Sequence, residues 1–272
     1  MKLSKEDLEI IDMYDGNTIV ERVDLSKGAY YVKFGYGIED NKKMIFTELL
    51  GTRIFNLVGI KCAQYQYIPE YKCLISPDLD IPNKMYWSYE FGFGSIALEH
   101  VLEGVYSQKR VGNGFTNPRQ LSLSVEIMHF IDILFSNIDR HANNFGFYID
   151  KGGYGELVVL DNEGFLSCFD KPVKPYAFSA EKLDEEIYNS TKIEEAKKFF
   201  EVMSEDMRQL VPKYLEMFTP KRVEYLIKGL EVELDMEFCF YKKVMKDYKK
   251  NYNQLCRVFN YKKNNRISLY KK

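Results

Sequence analysis

The chain has 272 residues, 46% of them hydrophobic and 29% charged, enough for one large domain or a two-lobed protein with a sizeable core. Its formal net charge of −2 selects no class of partner, but residues 241–272 carry eleven Lys and Arg against the single Asp247, leaving the rest of the chain at −12. Five scattered cysteines without a CxxC pair argue against a disulfide framework, the amino-terminal residues lack an apolar signal core, and no stretch approaches the roughly 18 apolar residues of a membrane span, so a cytoplasmic protein with reduced thiols is expected.

In chain order, residues 29–34 alternate and are rich in Tyr and Val, which predicts a strand. Tyr31 and Lys33 fall on one face of it, and Tyr30, Val32 and Phe34 on the other. Residues 43–58 read as a helix closed by Gly59. Residues 61–68 and 72–75, joined at Pro69-Glu70-Tyr71, predict a hairpin. From about Leu79 the pattern turns helical, with a helix over 96–106 and a stronger one over 121–137 that places Val125, Met128, Asp132 and Phe135 on one face. A second hairpin, 145–149 and 156–160, turns at Asp150-Lys-Gly-Gly153. Beyond a Pro-rich connection at 171–175, Thr191 with Glu194 predicts a capping box. Thr219-Pro220 predicts an N-cap followed by Pro at the first helical position, and a last helix is expected over about 231–259. The expected class is α+β in two lobes: a small β-rich lobe over 1–78 and a larger helical lobe over 79–272, divided where Pro77 and Pro82 interrupt regular structure.

Chemistry concentrates around the second hairpin. Asp139-Arg-His-Ala-Asn-Asn144 precedes it and Leu160-Asp161-Asn-Glu-Gly164 follows it. This spacing sets a carboxylate, a carboxamide five residues on and a second carboxylate at the hairpin's far end. Phosphoryl transfer needs such a set: one Asp to orient or deprotonate the attacking hydroxyl, and an Asn and an Asp as hard oxygen ligands for Mg²⁺. Asp139 is the preferred base, and Asn144 and Asp161 are the preferred metal ligands. His141 either assists proton transfer or holds the loop, the latter being favoured. Arg140 either neutralises phosphate charge or pairs with an acid elsewhere. Asp161 to Gly164 also reads as an ordinary turn, and Glu163 as a further polar contact near the metals.

Upstream, Lys33 is either a phosphate clamp reaching down from a strand or an exposed strand lysine. Glu48, on the helix over 43–58, is either its acidic partner or a solvated helix residue. No GxGxxG or GxxxxGK[ST] is present. Asp15-Gly-Asn-Thr18 is the best phosphate-loop candidate, because Gly16 permits close backbone approach, and it reads equally well as a plain turn. There is no HExxH zinc site and no GxSxG serine elbow.

The loop and the Leu160-Asp161 strand end resemble HipA-type serine/threonine kinases and, more distantly, the phosphatidylinositol-3/4-kinase branch of the protein-kinase-like superfamily. Those families use a D-x-H-x-x-N or D-R-H-x-x-N loop and, after a hairpin, a metal-binding Asp. Tyr31-Val-Lys33-Phe is similar to the family's (I/V)-V-K-F strand, and the run from Glu48 to Ile60 to its E-x-L-x-x-R-L-A-x-x-x-G-I helix and turn. The resemblance runs in pieces from about Gly16 to Phe165. It implies a two-lobed protein-kinase-like fold, ATP and Mg²⁺ as cofactors, Lys33 on the nucleotide phosphates, Asp139 on the substrate hydroxyl, and Asn144 and Asp161 on Mg²⁺. It further implies γ-phosphoryl transfer to a Ser or Thr of a protein substrate, including the enzyme itself. Alternatives are a small-molecule or phosphoinositide acceptor, or a nucleotide-binding pseudokinase that regulates a partner. For the basic segment 241–272, a helix packed on the large lobe with a solvated face is favoured over contact with anionic lipid or nucleic acid.

Overall fold

The computed structural model describes residues 4–12, 20–34, 37–79, 85–87, 115–137, 140, 144–166, 185–237 and 241–261. The expected helix over 96–106, the Gly16 turn, the connection at 171–175, and both Asp139 and His141 lie outside them.

Helix α1 (Lys5–Asp12) opens the chain. Ser4 and Asp7 cap it reciprocally: the Ser4 N–H donates to Asp7 Oδ2 at 2.9 Å and the Asp7 N–H to Ser4 Oγ at 3.1 Å. Asp7 also accepts the backbone N–H and the hydroxyl of Ser26 at 2.7 and 2.8 Å, which ties α1 to the β1–β2 turn. Strands β1 (Val20–Leu25), β2 (Gly28–Lys33), β4 (Gln66–Ile68) and β5 (Cys73–Pro77) form an antiparallel sheet in the order β1-β2-β5-β4. Gly28, at φ 129°, makes the tight β1–β2 turn that other residues would resist. Val23, Leu25, Tyr30, Val32, Ile68, Cys73 and Ile75 form a small core with Ile11 of α1. Lys33 and its register partner Leu74 close the run, and Leu74 joins the main core instead.

Helix α2 (Gly37–Val58) starts six residues earlier than the sequence pattern indicates and ends as expected at Gly59, φ 77°. The first expected hairpin is not continuous. Residues 61–68 split into β3 (Lys61–Cys62) and β4, and only β4 pairs with β5. β3 instead runs parallel to β8 (Gly155–Val159), in a second sheet ordered β3-β8-β7-β6 with β7 (Phe145–Ile149) and β6 (Met85–Trp87). The reason is where the backbone groups of Ala63 go: its N–H donates to Val159 O at 2.8 Å and its C=O accepts the Thr52 hydroxyl of α2 at 3.1 Å. The chain crosses between sheets there. The second expected hairpin is present as β7 and β8, with Phe145 opposite Val159.

The remaining described elements are helical: α3 (Pro118–Leu134), α4 (Glu185–Val202), α5 (Glu205–Met217), α6 (Pro220–Leu234) and α7 (Tyr241–Val258). Helix α3 lies three residues upstream of its expected span, starting at Pro118 in the first turn. Its end is fixed by Ser136 at φ 53° and by the Asn137 N–H donating to Asp132 O at 2.8 Å. Thr191 lies inside α4, so the expected capping box there is wrong. A side-chain cap occurs instead at Ser204, whose Oγ accepts the Met207 N–H of α5 at 3.2 Å. Thr219-Pro220 opens α6 as expected. The single helix expected over 231–259 is two, because Asp235 turns left-handed at φ 49° and the Met236 N–H closes back on Glu231 O at 3.1 Å. The main core joins α2, β7, β8 and helices α3 to α7, with Phe130, Phe135, Phe165, Phe199, Phe218 and Tyr248 essentially without solvent contact. No helix among the described residues is long and apolar enough to cross a membrane.

Candidate functional site

Lys33 at the end of β2 is 2% exposed, not a surface lysine. Its Nζ donates to Glu48 Oε1 of α2 at 2.6 Å and to Asp161 Oδ2 at 3.1 Å, with Glu163 Oε2 also at 3.1 Å. Strand, helix and hairpin end thus converge on one ammonium. Glu48 is equally unlike a solvated helix residue: it is 0% exposed, and its second oxygen accepts the Asn162 N–H at 2.9 Å. Asp161 Oδ1 accepts the Glu163 N–H at 2.9 Å, which folds the segment after β8 back on itself.

The hairpin register explains how the two halves of the motif meet. Phe145 pairs with Val159, and the Leu160 N–H donates to Asn144 O at 3.0 Å. Asn144 and Asp161 therefore emerge at the same end of the β7–β8 ribbon. Arg140 locks that end. It is 5% exposed, and its guanidinium donates to both oxygens of Asp132 on α3 at 3.0 and 3.1 Å. It also donates to Asn144 O at 3.0 Å, Asp161 O at 2.5 Å and Asn162 Oδ1 at 2.9 Å. Of the two roles the sequence leaves open for Arg140, the structure shows pairing with an acid elsewhere. Asp132 in turn accepts Asn137 Nδ2 at 2.8 Å, so one buried carboxylate orders both the helix end and the loop that follows.

Phe165 anchors the same segment from below. It is fully buried, lies 5.8 Å from the Phe55 ring of α2, and stacks on Phe135 at 5.5 Å with the planes 5° apart. Helix α2 meets the segment closely: a Cβ on Gly51 would come within 2.4 Å of Asn162 Cβ. Tyr65, from the crossing between the sheets, donates its hydroxyl to Leu160 O at 3.1 Å.

Electrostatics follow from this crowding. Burial opposes the charge on Lys33, but the carboxylates of Glu48 and Asp161 outweigh it and hold the ammonium protonated far into the alkaline range. Burial would raise Asp161, but the Lys33 charge and hydrogen bonds hold its carboxyl down at about 2. Burial pushes Glu48 up, with Lys33 opposing it and Asp161 reinforcing it. Burial likewise pushes the Tyr65 phenol well above its ordinary value. The chemistry available is anion binding at a fixed cation beside an ionised carboxylate. Among the described residues no three His, Cys, Asp or Glu side chains are arranged to hold a metal by themselves. A Mg²⁺ that shares its shell with phosphates and waters needs only one or two protein oxygens, and Asp161 with an Asn fits that requirement.

Lys33, Glu48 and Asp161, expected separately from strand, helix and loop, are thus brought together, with Asn144 at the same hairpin end. The expected roles of Asp139, His141 and Gly16 concern positions outside the described residues. Sequence reasoning passed over Asn162, Gly51 and Phe165. Only Gly51 left a trace, as a glycine in mid-helix, where close approach by another group is the usual reason.

A small β-sheet region and a larger helical region, with a buried strand lysine paired to a helix glutamate, make a two-lobed α+β fold, and solved structures of kinases share it. The crystal structure of the Helicobacter pylori proinflammatory kinase CtkA matches with a TM-score of 0.61 at 14% identity, covering 91% of this chain and 94% of that one. HipA of the Shewanella oneidensis MR-1 toxin–antitoxin system, solved with HipB and its operator DNA, matches with a TM-score of 0.56 at 15% identity over 93% of this chain and 70% of that one. No family model matches the chain, and no curated protein does. What is shared at these identities is the fold.

Proposed function

We propose that this chain is a Mg²⁺- and ATP-dependent kinase that transfers the γ-phosphoryl group to a Ser or Thr hydroxyl of a protein, itself included. The observation that carries the reading is the buried Lys33–Glu48 pair, 2.6 Å apart, meeting Asp161 at 3.1 Å within a kinase-like fold. Lys33 would neutralise phosphate charge, and Glu48 would hold its ammonium in place. Asp161 and Asn144 would hold Mg²⁺, and Asp139 would orient the acceptor hydroxyl. When bound, the metal would supply charge neutralisation on the transferring phosphoryl group. Because phosphoryl transfer asks for little covalent chemistry, positioning and fixed charge account for the catalysis. The protein acceptor is inferred from the motif resemblance to HipA-type kinases, and a CtkA neighbour that is itself a kinase supports phosphoryl transfer.

The test is incubation of the purified protein with Mg²⁺ and labelled ATP in host-cell lysate, with phosphorylated sites mapped by mass spectrometry. Lys33→Met, Asp139→Asn and Asp161→Ala are each expected to lower transfer by about 100-fold or more. Near-normal transfer by any of the three would refute the assignment, and label appearing on lipid or a metabolite instead of protein would reassign the acceptor.

A further inference from the structure

An ammonium has three protons to donate, and Lys33 Nζ has three carboxylates around it: Glu48 at 2.6 Å, Asp161 at 3.1 Å and Glu163 at 3.1 Å. A phosphate oxygen that is to reach Lys33 must take the place of one of them. Glu48 is poorly placed to leave. Its side chain is 0% exposed, and its other oxygen accepts the Asn162 N–H, so withdrawal would strand a buried charge and an unpaired donor. Asp161 is held by the Glu163 N–H and is the oxygen ligand that the proposed metal requires. Glu163 differs from both. Its side chain is 48% exposed against 3% for Lys33, and its backbone N–H anchors the turn whatever the side chain does. Turning its carboxylate out to water sacrifices one half-exposed ion pair, the weakest kind.

We propose that Glu163 is an exchangeable ligand of Lys33, standing where a nucleotide phosphate goes and released when one arrives. The idea rests on the nucleotide site proposed above and adds a selectivity rule to it. A ligand must bring more negative charge to Lys33 than one carboxylate does, which favours a polyphosphate over a monoanion. It also separates Glu163 from the metal ligands, although it lies only two residues beyond Asp161.

The test compares wild type with Glu163→Gln for binding of adenylyl imidodiphosphate and of adenosine, by calorimetry, with Mg²⁺ and with chelator. The variant is expected to bind the triphosphate analogue about two- to fivefold more tightly in both conditions, the size of a half-exposed ion pair removed. Adenosine affinity is expected to stay the same. In a Lys33→Met background the gain is expected to shrink, because the competition has lost its object. Unchanged triphosphate affinity would overturn the exchange while leaving the nucleotide site standing. Weaker binding in Mg²⁺ alone would overturn it too, making Glu163 a metal ligand. Absence of triphosphate binding by the wild type would bring down the nucleotide site and the exchange together.

Discussion

Asp161 and Arg140 show how much of this site depends on single side chains. The Asp161 carboxyl sits at about 2 against an ordinary value of 3.8. Its folded value is depressed, so the stability from its ionised form is complete above about pH 4 and is lost as the pH falls towards 2. Acid unfolding of wild type and Asp161→Asn should therefore converge across that window, and curves that stay parallel would contradict the geometry. Arg140 has a different role. It spends its donors on Asp132, Asn144, Asp161 and Asn162 inside the protein. Arg140→Ala would leave the Asp132 carboxylate buried without its cation, a loss of about 3–5 kcal/mol in denaturant unfolding. Lysine should not rescue it, because an ammonium cannot reproduce the planar fork on both Asp132 oxygens. A variant as stable as wild type would show that the guanidinium is dispensable.

Among the elements, α2 and the β7–β8 ribbon do most to build the site, and their contact is tight. Gly51→Ala would drive a methyl group to 2.4 Å from Asn162 Cβ. Neither a helix backbone nor a side chain packed this closely can give way freely. The expected cost is about 1–3 kcal/mol in unfolding, with weaker nucleotide binding because Glu48 sits one turn away. Ordinary binding and stability in Gly51→Ala would mean that the helix can shift. This contact also marks the limit of what the sequence reveals. The ribbon was legible because its turn residues and alternating apolar positions are local signals, Asp161 because its spacing from Asp139 and Asn144 suits phosphoryl transfer, and Lys33 and Glu48 because a strand lysine and a helix glutamate upstream of that motif resemble a known family's. The division of 61–68 between two sheets was not, since it depends on hydrogen bonds from Ala63 to β8 and α2, far away in sequence. Nor was the break after α6, where Asp235 takes a left-handed conformation usually given to Gly or Asn. Asn162 looked like one more polar turn residue until its buried neighbours were in place.

Across the whole molecule, the acidic body and basic end meet in α7. One side of this helix is core: Val244, Tyr248, Tyr252 and Leu255 are buried, and the hydroxyls of Tyr248 and Tyr252 donate to Phe218 O and Leu215 O at 2.7 and 2.9 Å. Asn251 donates to Ile133 O and Leu134 O, and so supports the end of α3 that leads into the Arg140 segment. The other side presents exposed Lys242, Lys246, Lys249 and Lys250. Replacing those four lysines by Gln should change unfolding free energy by no more than about 0.5 kcal/mol, whereas Tyr248→Ala should cost about 3–5 kcal/mol. Similar losses in both would mean that the basic face is itself structural. Removing α7 outright would strip the core, so contact with an anionic partner is better judged from the lysine variant.

The seat of Asn162 against α2 also bears on control. In a kinase switched by swinging its small-lobe helix outward, the glutamate leaves the lysine while the metal-binding segment stays behind. Here the same outward swing would have to pull Glu48 from the Asn162 amide and Gly51 from the Asn162 side chain, exposing polar groups now out of reach of water. Helix and segment are therefore expected to travel as one body, keeping Glu48 on Lys33 wherever the helix stands. Amide exchange at Asn162 should then slow and quicken in step with the middle of α2, and independent exchange would show that the helix can part from it.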